Sequence, residues 1–283
     1  MSSAFLKRPK ARAGLATLMG AMMGVMILAL LSPPLAAQEV NIYSSRHYQT
    51  DERLYEDFEK ATGIRINRLE GEGDALIARL QQEGRNSPDE ILLTVDAGRL
   101  WRAEEADLFQ PIISDELTAK IPAHLRQPDG LWFGFSSRAR MIFVNPDLVD
   151  PGLIKRYEDL ADPRWKGQIC IRSSSNIYNL SLMSAMIAHH GEEEAYIWAK
   201  GVVANFARPP QGGDTDQLRA TAAGECAIAV ANSYYFARLM LSEDKADQQV
   251  TAQLMPIFPN QKGRGTHVNI SGAGILKFAP HKK

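Results

Sequence analysis

The sequence predicts an α/β fold that is organised in two domains. Three observations lead to this prediction. Short apolar runs alternate with stretches of helical periodicity, which favours a parallel sheet flanked by helices. A long extended segment, "PDGLWFGFSSRARMIFVNPD", separates two such alternating regions. The length of 283 residues, with 45% hydrophobic and 23% charged residues, fits one large or two medium globular domains.

The first alternating region contains three predicted strands and three predicted helices. "VNIYSS", "IRINRLEG" and "EILLTVD" are rich in β-branched and aliphatic residues and are predicted as strands. "TDERLYEDFEKATG" is predicted as a helix, because Leu54, Phe58 and Ala61 recur at helical spacing and Gly63 can end it. "GDALIARLQQEG" and "AGRLWRAEEADLF" are the other two predicted helices, and Leu76 and Leu80 share one face of the former.

The second alternating region follows the extended segment. "GQICIRS" and "CAIAVANS" are predicted as strands. Four stretches are predicted as helices: "NLSLMSAMIAHHG", "EEEAYIWAKGVVANF", "GDTDQLRATAAGE" and "YYFARLMLSED". The last segment, "LMPIFPNQKGRGTHVNISGAGIL", is extended and glycine-rich, and it can return to the first domain.

The first 37 residues differ in composition from the rest of the chain. Lys7, Arg8, Lys10 and Arg12 precede "AGLATLMGAMMGVMILALL", a run of 19 residues without a charge, and "SPPLAAQ" follows. A basic start, an apolar centre and small residues near Ala37 indicate a signal peptide, cleaved before Gln38. The alternative is an uncleaved membrane anchor, because an apolar run of this length can span a bilayer. In either case we expect the rest of the chain to lie outside the cytoplasm.

The exported part of the chain is mildly acidic. Without residues 1–37 it has 28 Lys and Arg against 33 Asp and Glu, a net charge of −5. No basic patch stands out, so we expect no binding to nucleic acid. No second long apolar stretch follows, so we expect a soluble mature protein.

Two cysteines, Cys170 and Cys226, open the two apolar strand-like runs of the second region. In an oxidising compartment an isolated pair is a candidate disulfide, provided that the two strands are neighbours. The alternative is a pair of buried free thiols.

The sequence lacks the motifs of common enzymes. It has no G-x-S-x-G, no H-E-x-x-H and no phosphate-binding G-x-x-x-x-G-K-[ST]. The adjacent pair His189 and His190 lies late in a helical stretch, where neighbouring side chains diverge, so we expect a solvent-facing helix end rather than a metal site. We therefore predict a binding protein and not an enzyme.

Tyrosines recur just past the carboxyl ends of three predicted strands. In open α/β sheets ligands bind at this edge, so these loops can meet at one cleft. The candidate ligand-binding residues are His47, Tyr48, Tyr178, Tyr234 and Tyr235. The other four tyrosines lie inside predicted strands or helices and are assigned to packing: Tyr43, Tyr55, Tyr157 and Tyr196.

Several ligands would use a cluster of phenols. A sugar would stack on aromatic faces, but tryptophan would be expected there and these loops have none. A quaternary ammonium would sit in an aromatic cage. A hard trivalent cation would bind phenolate oxygens, as ferric iron does in some haem proteins. Ionising a phenol of pKa near 10 at pH 7 costs about 4 kcal/mol, so only a strongly charged metal repays four of them.

Five segments together resemble the periplasmic ferric-iron-binding proteins of bacterial iron ABC transporters. They are "IYSSRHYQTDERLYEDFEKATGIRI", "RSSSNIYNLSL", "FARPPQGGDTDQL", "GECAIAVANSYYFARL" and "THVNISGAG", and the resemblance runs from about residue 39 to 278. It implies the two-lobed periplasmic-binding-protein (type II) fold with a two-strand hinge. The expected division is a signal peptide over 1–37, lobe 1 over 38–137 and 263–283, and lobe 2 over 138–262. The C-terminal helices of lobe 1 are expected to be missing.

The resemblance also implies a ligand set, a cargo and a partner. The implied iron ligands are His47, Tyr48, Tyr178, Tyr234 and Tyr235, with the histidine used by some members and not by others. The implied cargo is Fe(III), which some members bind together with a small anion such as carbonate; Arg46, Arg172 and Ser173–Ser175 are candidate contacts for it. The implied partner is an inner-membrane ABC permease, and we expect a periplasmic monomer. The alternative is a binding protein for a ferric chelate or a small organic or anionic solute.

Overall fold

The structure is a computed structural model that describes residues 38–46 and 48–281. The predicted signal peptide, residues 1–37, and the candidate ligand His47 lie outside the described residues. Across the residues described, no helix combines the length and the apolar character needed to cross a bilayer.

The first alternating region forms the predicted elements. The strands are β1 (Glu39–Ser44), β2 (Arg65–Glu70) and β3 (Ile91–Val95). The helices are α1 (Gln49–Thr62), α2 (Gly73–Glu83), α3 (Ala97–Glu105) and a short α4 (Asp115–Lys120) that the sequence pattern did not indicate. Gly63 ends α1 with a φ of 70°, a left-handed conformation that suits glycine.

The predicted crossing segment is the long strand β4 (Phe133–Val144). After it come β5 (Ile169–Cys170), α5 (Ile177–His190), α6 (Glu192–Ala204), α7 (Asp214–Ala222), β6 (Ile228–Asn232), α8 (Ser233–Met240), α9 (Lys245–Ala252), β7 (Met255–Ile257) and β8 (Val268–Ile275). Single turns of 3-10 helix occur at Gly84–Asn86, Ala123–Leu125, Pro151–Leu153, Glu158–Ala161 and Pro163–Trp165.

One sheet runs through the molecule in the order β2-β1-β3-β8-β4-β6-β5, with β7 also paired to β4. The first half of β4, Phe133 to Ala139, pairs with β8. Its second half, Arg140 to Val144, pairs with β6 and β7. β8 continues on its other side to β3. Strands β4 and β8 therefore join the two α/β regions side by side, as the crossing segment and the returning segment predicted.

The sheet is mixed, so the prediction of a parallel sheet is wrong for its centre. The pairs β1–β2, β1–β3 and β5–β6 are parallel. β8 runs antiparallel to β3 and β4, and β4 runs antiparallel to β6 and β7. β4 and β8 connect the two regions and are not members of a β–α–β unit, whose crossover helix would make neighbouring strands parallel.

Each region has its own core. In the first, Leu76 and Leu80 of α2 are buried as predicted and pack with Leu92 of β3 and Leu100 of α3. In the second, β4 alternates its side chains between two clusters. Ile142 and Val144 belong to the cluster under α5 and α6, whereas Met141 and Phe143 belong to the one under α7 and α8. Helices therefore cover both faces of this part of the sheet.

Helix α1 turns its polar side inward, contrary to the predicted apolar face. Leu54 and Phe58 are 66% and 40% exposed. The inner positions belong instead to Asp51, Tyr55 and Glu59. The Asp51 carboxylate accepts two hydrogen bonds from Arg46, Tyr55 lies under the Arg68 guanidinium, and Glu59 accepts a hydrogen bond from the Ile66 N–H. Specific polar contacts thus determine which side of α1 faces the sheet.

The two cysteines lie together because their strands are neighbours. Cys170 ends β5, Cys226 precedes β6, and these strands are paired. Their Cα atoms are 5.9 Å apart with the sulfurs at bonding distance, and both side chains are buried. This Cα separation lies within the range that a disulfide requires.

Candidate metal centre

The tyrosine pair lies where a central strand becomes a helix. β6 ends at Asn232 and α8 begins at Ser233, so Tyr234 and Tyr235 occupy the first turn of α8. Their ring centroids are 4.3 Å apart with an interplanar angle of 31°. Adjacent helical side chains ordinarily diverge by about 100°. Here the two rings instead lie against one another.

Tyr178 reaches the pair from the amino end of α5. The Asn176 side chain caps this helix by accepting a hydrogen bond from the Tyr178 backbone N–H, at 3.0 Å. The Tyr178 hydroxyl lies 3.1 Å from the Tyr234 hydroxyl. Two oxygen atoms from different elements therefore already meet at one point.

Tyr48 approaches from the other region of the sheet. It precedes the first residue of α1, just after β1. Its ring packs edge-on against Tyr234, with centroids 5.6 Å apart, and the Arg46 guanidinium lies 4.8 Å from its centroid. The four tyrosines predicted from the loop positions thus lie together across the junction of the two regions.

The tyrosines assigned to packing behave differently. Tyr43 and Tyr157 are buried, and the Tyr43 hydroxyl donates to Glu83. Tyr55 is half-buried. Tyr196 is 60% exposed on α6, so its assignment to packing is wrong. An aromatic residue in a helical stretch can face solvent, and its position in the sequence does not decide this.

In the absence of a metal, the electrostatics of the site favour the neutral, protonated phenols. Burial raises the pKa of Tyr234, and the neighbouring phenols raise it further. Burial also raises the pKa of Tyr178, while the Arg138 guanidinium opposes this. Three guanidinium groups surround the Tyr178 ring, with centroid distances of 5.5, 5.9 and 5.1 Å for Arg138, Arg140 and Arg172. These cations would stabilise phenolates once protons leave.

The candidate donors that the structure describes are phenol oxygens. Within residues 38–46 and 48–281, no group of three or more His, Cys, Asp or Glu side chains could hold a metal ion. Four clustered phenols are hard, anionic oxygen donors when ionised. This is the chemistry that a hard trivalent cation requires and that soft or borderline metals do not favour.

A buried ion pair between Arg140 and Asp214 contacts the end of the strand that leads to the tyrosine pair. Arg140 is only 2% exposed, and its guanidinium donates to Asp214 at 2.5 Å, to Asn232 at 3.2 Å and to Asn179 at 2.7 Å. Asp214 also accepts from the Asn232 backbone N–H at 2.7 Å. This network ties together the strand that leads to Tyr234, the helix that carries Tyr178 and the start of α7.

A second set of polar residues lines a small cavity below Tyr178. It contains Asp96, Arg138, Arg140, Asn232, His267 and Asn269. Burial and the adjacent Arg140 and Arg138 guanidiniums lower the pKa of His267 to about 4, so this imidazole is neutral at pH 7. The sequence analysis assigned no role to these residues, although Asn232, His267 and Asn269 lie in segments that carry the family resemblance.

The residues considered for an anion are already engaged. Arg46 donates to Asp51 and, at 2.7 Å, to the Ser136 hydroxyl. Arg172 lies 3.5 Å from the Asp214 carboxylate. The Ser173 and Ser175 hydroxyls hydrogen bond to each other at 2.8 Å. His189 and His190 are exposed at the end of α5, as predicted.

Comparison with known protein sequences identifies a family that matches this chain. Residues 86–263 match the family described as bacterial extracellular solute-binding protein. Iron uptake protein A1 of Synechocystis sp. is 52% identical over 246 residues, which cover 87% of this chain and 68% of that protein. The chain belongs to the bacterial extracellular solute-binding protein family.

Solved structures show the same architecture. A Trichodesmium protein in complex with iron and citrate ligands is 57% identical with a TM-score of 0.82, over 86% of this chain and 77% of that one. The ferric binding protein from Campylobacter jejuni is 43% identical with a TM-score of 0.82, over the same shares. The predicted α/β periplasmic-binding-protein fold is confirmed.

Proposed function

We propose that this chain is a periplasmic solute-binding protein that captures Fe(III) and delivers it to an ABC permease in the inner membrane. The observation that carries the proposal is the meeting of Tyr48, Tyr178, Tyr234 and Tyr235 across the junction of the two regions. Similarity to proteins described as iron uptake and ferric binding proteins supports the same cargo.

The arrangement of the phenols favours a metal over an organic cation. An aromatic cage presents ring faces to its ligand. Here the hydroxyls of Tyr178 and Tyr234 meet at 3.1 Å, and the Tyr48 ring meets Tyr234 edge-on. Ionising four phenols at pH 7 costs about 16 kcal/mol before any further cost of burial, and a trivalent ion bound to four phenolates offsets this.

We propose Tyr48, Tyr178, Tyr234 and Tyr235 as iron ligands, with His47, which directly precedes Tyr48, as a fifth. A small anion such as carbonate would complete the coordination where the imidazole does not bind. Five such ligands leave little room for a substrate, which favours binding over catalysis.

The two regions act as lobes in this proposal. Lobe 1 comprises 38–137 and 263–283, and lobe 2 comprises 138–262. They are joined by β4 and β8, which form a two-strand hinge. Tyr48 belongs to lobe 1 and the other three tyrosines to lobe 2, so iron contacts both lobes only when the cleft is closed. A ligand shifts an open–closed equilibrium by its difference in affinity for the two states, and this division supplies the difference.

The proposal also includes secretion, a monomeric state and a role for the cysteine pair. We infer a monomer that is secreted by residues 1–37 and acts in the oxidising periplasm. The bonding distance between the Cys170 and Cys226 sulfurs supports a disulfide there.

The test is the iron affinity of single tyrosine variants, measured by competition with a chelator. Tyr234→Phe and Tyr235→Phe each remove one phenolate and should weaken binding by about 100-fold or more, beyond the 10–100-fold typical of outer-shell changes. Tyr196→Phe, on the exposed face of α6, is the matched control and should keep wild-type affinity. Unchanged affinity in both site variants, with the proteins folded, would contradict the proposal.

A ferric chelate is the second candidate cargo. A cleft of about 480 Å³ lies beside the amino end of α5. It is lined by Arg172, Ser173 and Ser175, by Arg99 and Arg102, which both pair with Asp74, and by Glu72. Its guanidinium and hydroxyl groups suit the carboxylates of an organic acid. Iron affinity that requires added citrate would favour the chelate, whereas equal affinity without citrate would favour the bare ion.

A further inference from the structure

We propose that Asp96 is a positioning residue that fastens the Tyr178-bearing helix to lobe 1 and so holds the cleft closed. The consequence for metal release rests on the proposed function, whereas the effect on closure does not. Asp96 follows β3 directly, is fully buried, and has a φ of 84°. Residues other than glycine rarely adopt such a φ, and the surrounding structure must compensate for the strain.

The Asp96 carboxylate joins four elements through its two oxygens. Oδ1 accepts from the Gly98 N–H at 3.0 Å, which caps α3, and from the Ser181 hydroxyl of α5. Oδ2 accepts from Arg138 of β4 at 3.2 Å and from Asn269 of β8 at 2.9 Å. One side chain thus contacts lobe 1, both hinge strands and the helix of lobe 2 that carries a proposed iron ligand.

Two partners of Asp96, Ser181 and Arg138, lie close to Tyr178. Ser181 follows Tyr178 by three residues, so the two side chains share a face of α5. The Arg138 guanidinium, which is paired with Asp96, also lies 5.5 Å from the centroid of the Tyr178 ring. Because Asp96 belongs to lobe 1 and Ser181 to lobe 2, their hydrogen bond spans the cleft and must break when the lobes separate.

Two substitutions separate these contacts. Asp96→Asn keeps a side chain that caps helices and that tolerates a positive φ, but it removes the charge opposite Arg138. Ser181→Ala removes only the hydrogen bond across the cleft and leaves the ion pair intact. Ser184→Ala is the matched control on the same helix, because its hydroxyl is exposed and donates only to the Leu180 carbonyl.

The experiment measures iron release to a competing chelator and the radius of gyration of the metal-free protein by small-angle X-ray scattering. A hydrogen bond to a charged group is strong enough that its loss should speed release about 10-fold or more in Asp96→Asn and Ser181→Ala. Both variants should also populate an open form with a larger radius. Ser184→Ala should match the wild type in both respects.

The outcomes distinguish this proposal from the proposed function. Ser181→Ala that equals Ser184→Ala in both release rate and radius would overturn the role of Asp96, even if Asp96→Asn fails to fold. If the wild-type protein binds no iron, the proposed function fails, and the radius of gyration alone then tests the role of Asp96. Larger radii in Asp96→Asn and Ser181→Ala than in Ser184→Ala would then support the positioning role, and equal radii would overturn it.

Discussion

Tyr234 is the residue on which the site depends most. It contacts each of the other three site tyrosines: the Tyr178 hydroxyl, the Tyr48 ring and the Tyr235 ring. Its position in the first turn of α8 follows from the end of β6 two residues earlier. A metal bound here would replace contacts among phenols by contacts between phenolates and a cation.

Iron affinity should fall steeply in acid. The pKa of Tyr178 and of Tyr234 is raised above the usual value of 10, chiefly by burial, so both phenols are protonated at pH 7 in the metal-free protein. Each ligating phenol must release its proton, so each pH unit lost should weaken apparent affinity by up to about tenfold per phenol. Proton release on iron binding, measured in weakly buffered solution, should exceed one per ion. No proton release would contradict phenolate ligation.

At the residue scale the sequence predicted that four tyrosines lie together, but not which residues surround them. The tyrosines were recognisable because ligands bind past the carboxyl ends of strands. Arg140 and Asp96 were not, because their partners are remote in the chain. Arg140 pairs with Asp214 across 74 positions, and Asp96 accepts from Ser181 across 85. No local pattern records such contacts.

Helix α5 is held at both ends. Asn176 caps its start, and at its last turn the His190 imidazole lies 2.7 Å from the Glu158 carboxylate. Arg264 and Asn260, which lead into β8, contact the same carboxylate at 2.7 and 2.9 Å. Glu158 therefore connects the helix that carries Tyr178 to the segment that leads into β8.

The Glu158 network should create an acid-sensitive component of stability. Burial alone would raise the pKa of this carboxyl, but the hydrogen bonds from Asn260, Arg264 and His190 outweigh it and lower the pKa from 4.5 to about 2. The stabilisation is therefore complete above pH 4.5 and is lost as the pH falls towards 2. Between pH 4.5 and 2, the unfolding temperature of Glu158→Gln should fall less steeply than that of the wild type.

The control for this prediction is Glu116→Gln. Glu116 pairs with Lys120 on the exposed surface of α4, where an ion pair contributes little. The unfolding temperature of Glu116→Gln should fall with decreasing pH as that of the wild type does. A Glu158→Gln curve that also follows the wild type would show that the network does not control acid stability.

The cysteine pair should stabilise the contact between β5 and β6. The two residues are separated by 56 positions, and loop entropy gives about 4 kcal/mol as an upper figure for a loop of this length. Cys170→Ser combined with Cys226→Ser should lower the free energy of unfolding in denaturant by up to this amount, and reduction of the wild type should act similarly. Two free thiols by mass spectrometry, with no effect of a reducing agent, would contradict the prediction.

At the element scale, periodicity predicted where helices lie better than how they face. The spacing of Leu54 and Phe58 located α1 correctly, yet these side chains remain exposed. Asp51 and Glu59 face the sheet because Arg46 and the Ile66 N–H supply partners. Such partners belong to other elements, so the helix sequence alone cannot reveal them.

The whole molecule is built around β4 and β8. The sequence predicted the crossing strand from an extended apolar run and the return from a glycine-rich segment, and both lie together in the centre of the sheet. Their antiparallel pairing could not be predicted, because it depends on how two segments more than 100 residues apart enter the same sheet. In the proposed mechanism these two strands bend while the flanking cores move as units.

The central claim is that phenolates from both lobes bind one ferric ion. The most direct test is the visible absorption spectrum of the purified mature chain, before and after ferric iron is added, with Tyr234→Phe alongside. A tyrosinate-to-iron charge-transfer band should appear with iron in the wild type and weaken or shift in the variant. A folded wild-type protein that develops no band with ferric iron would contradict the claim.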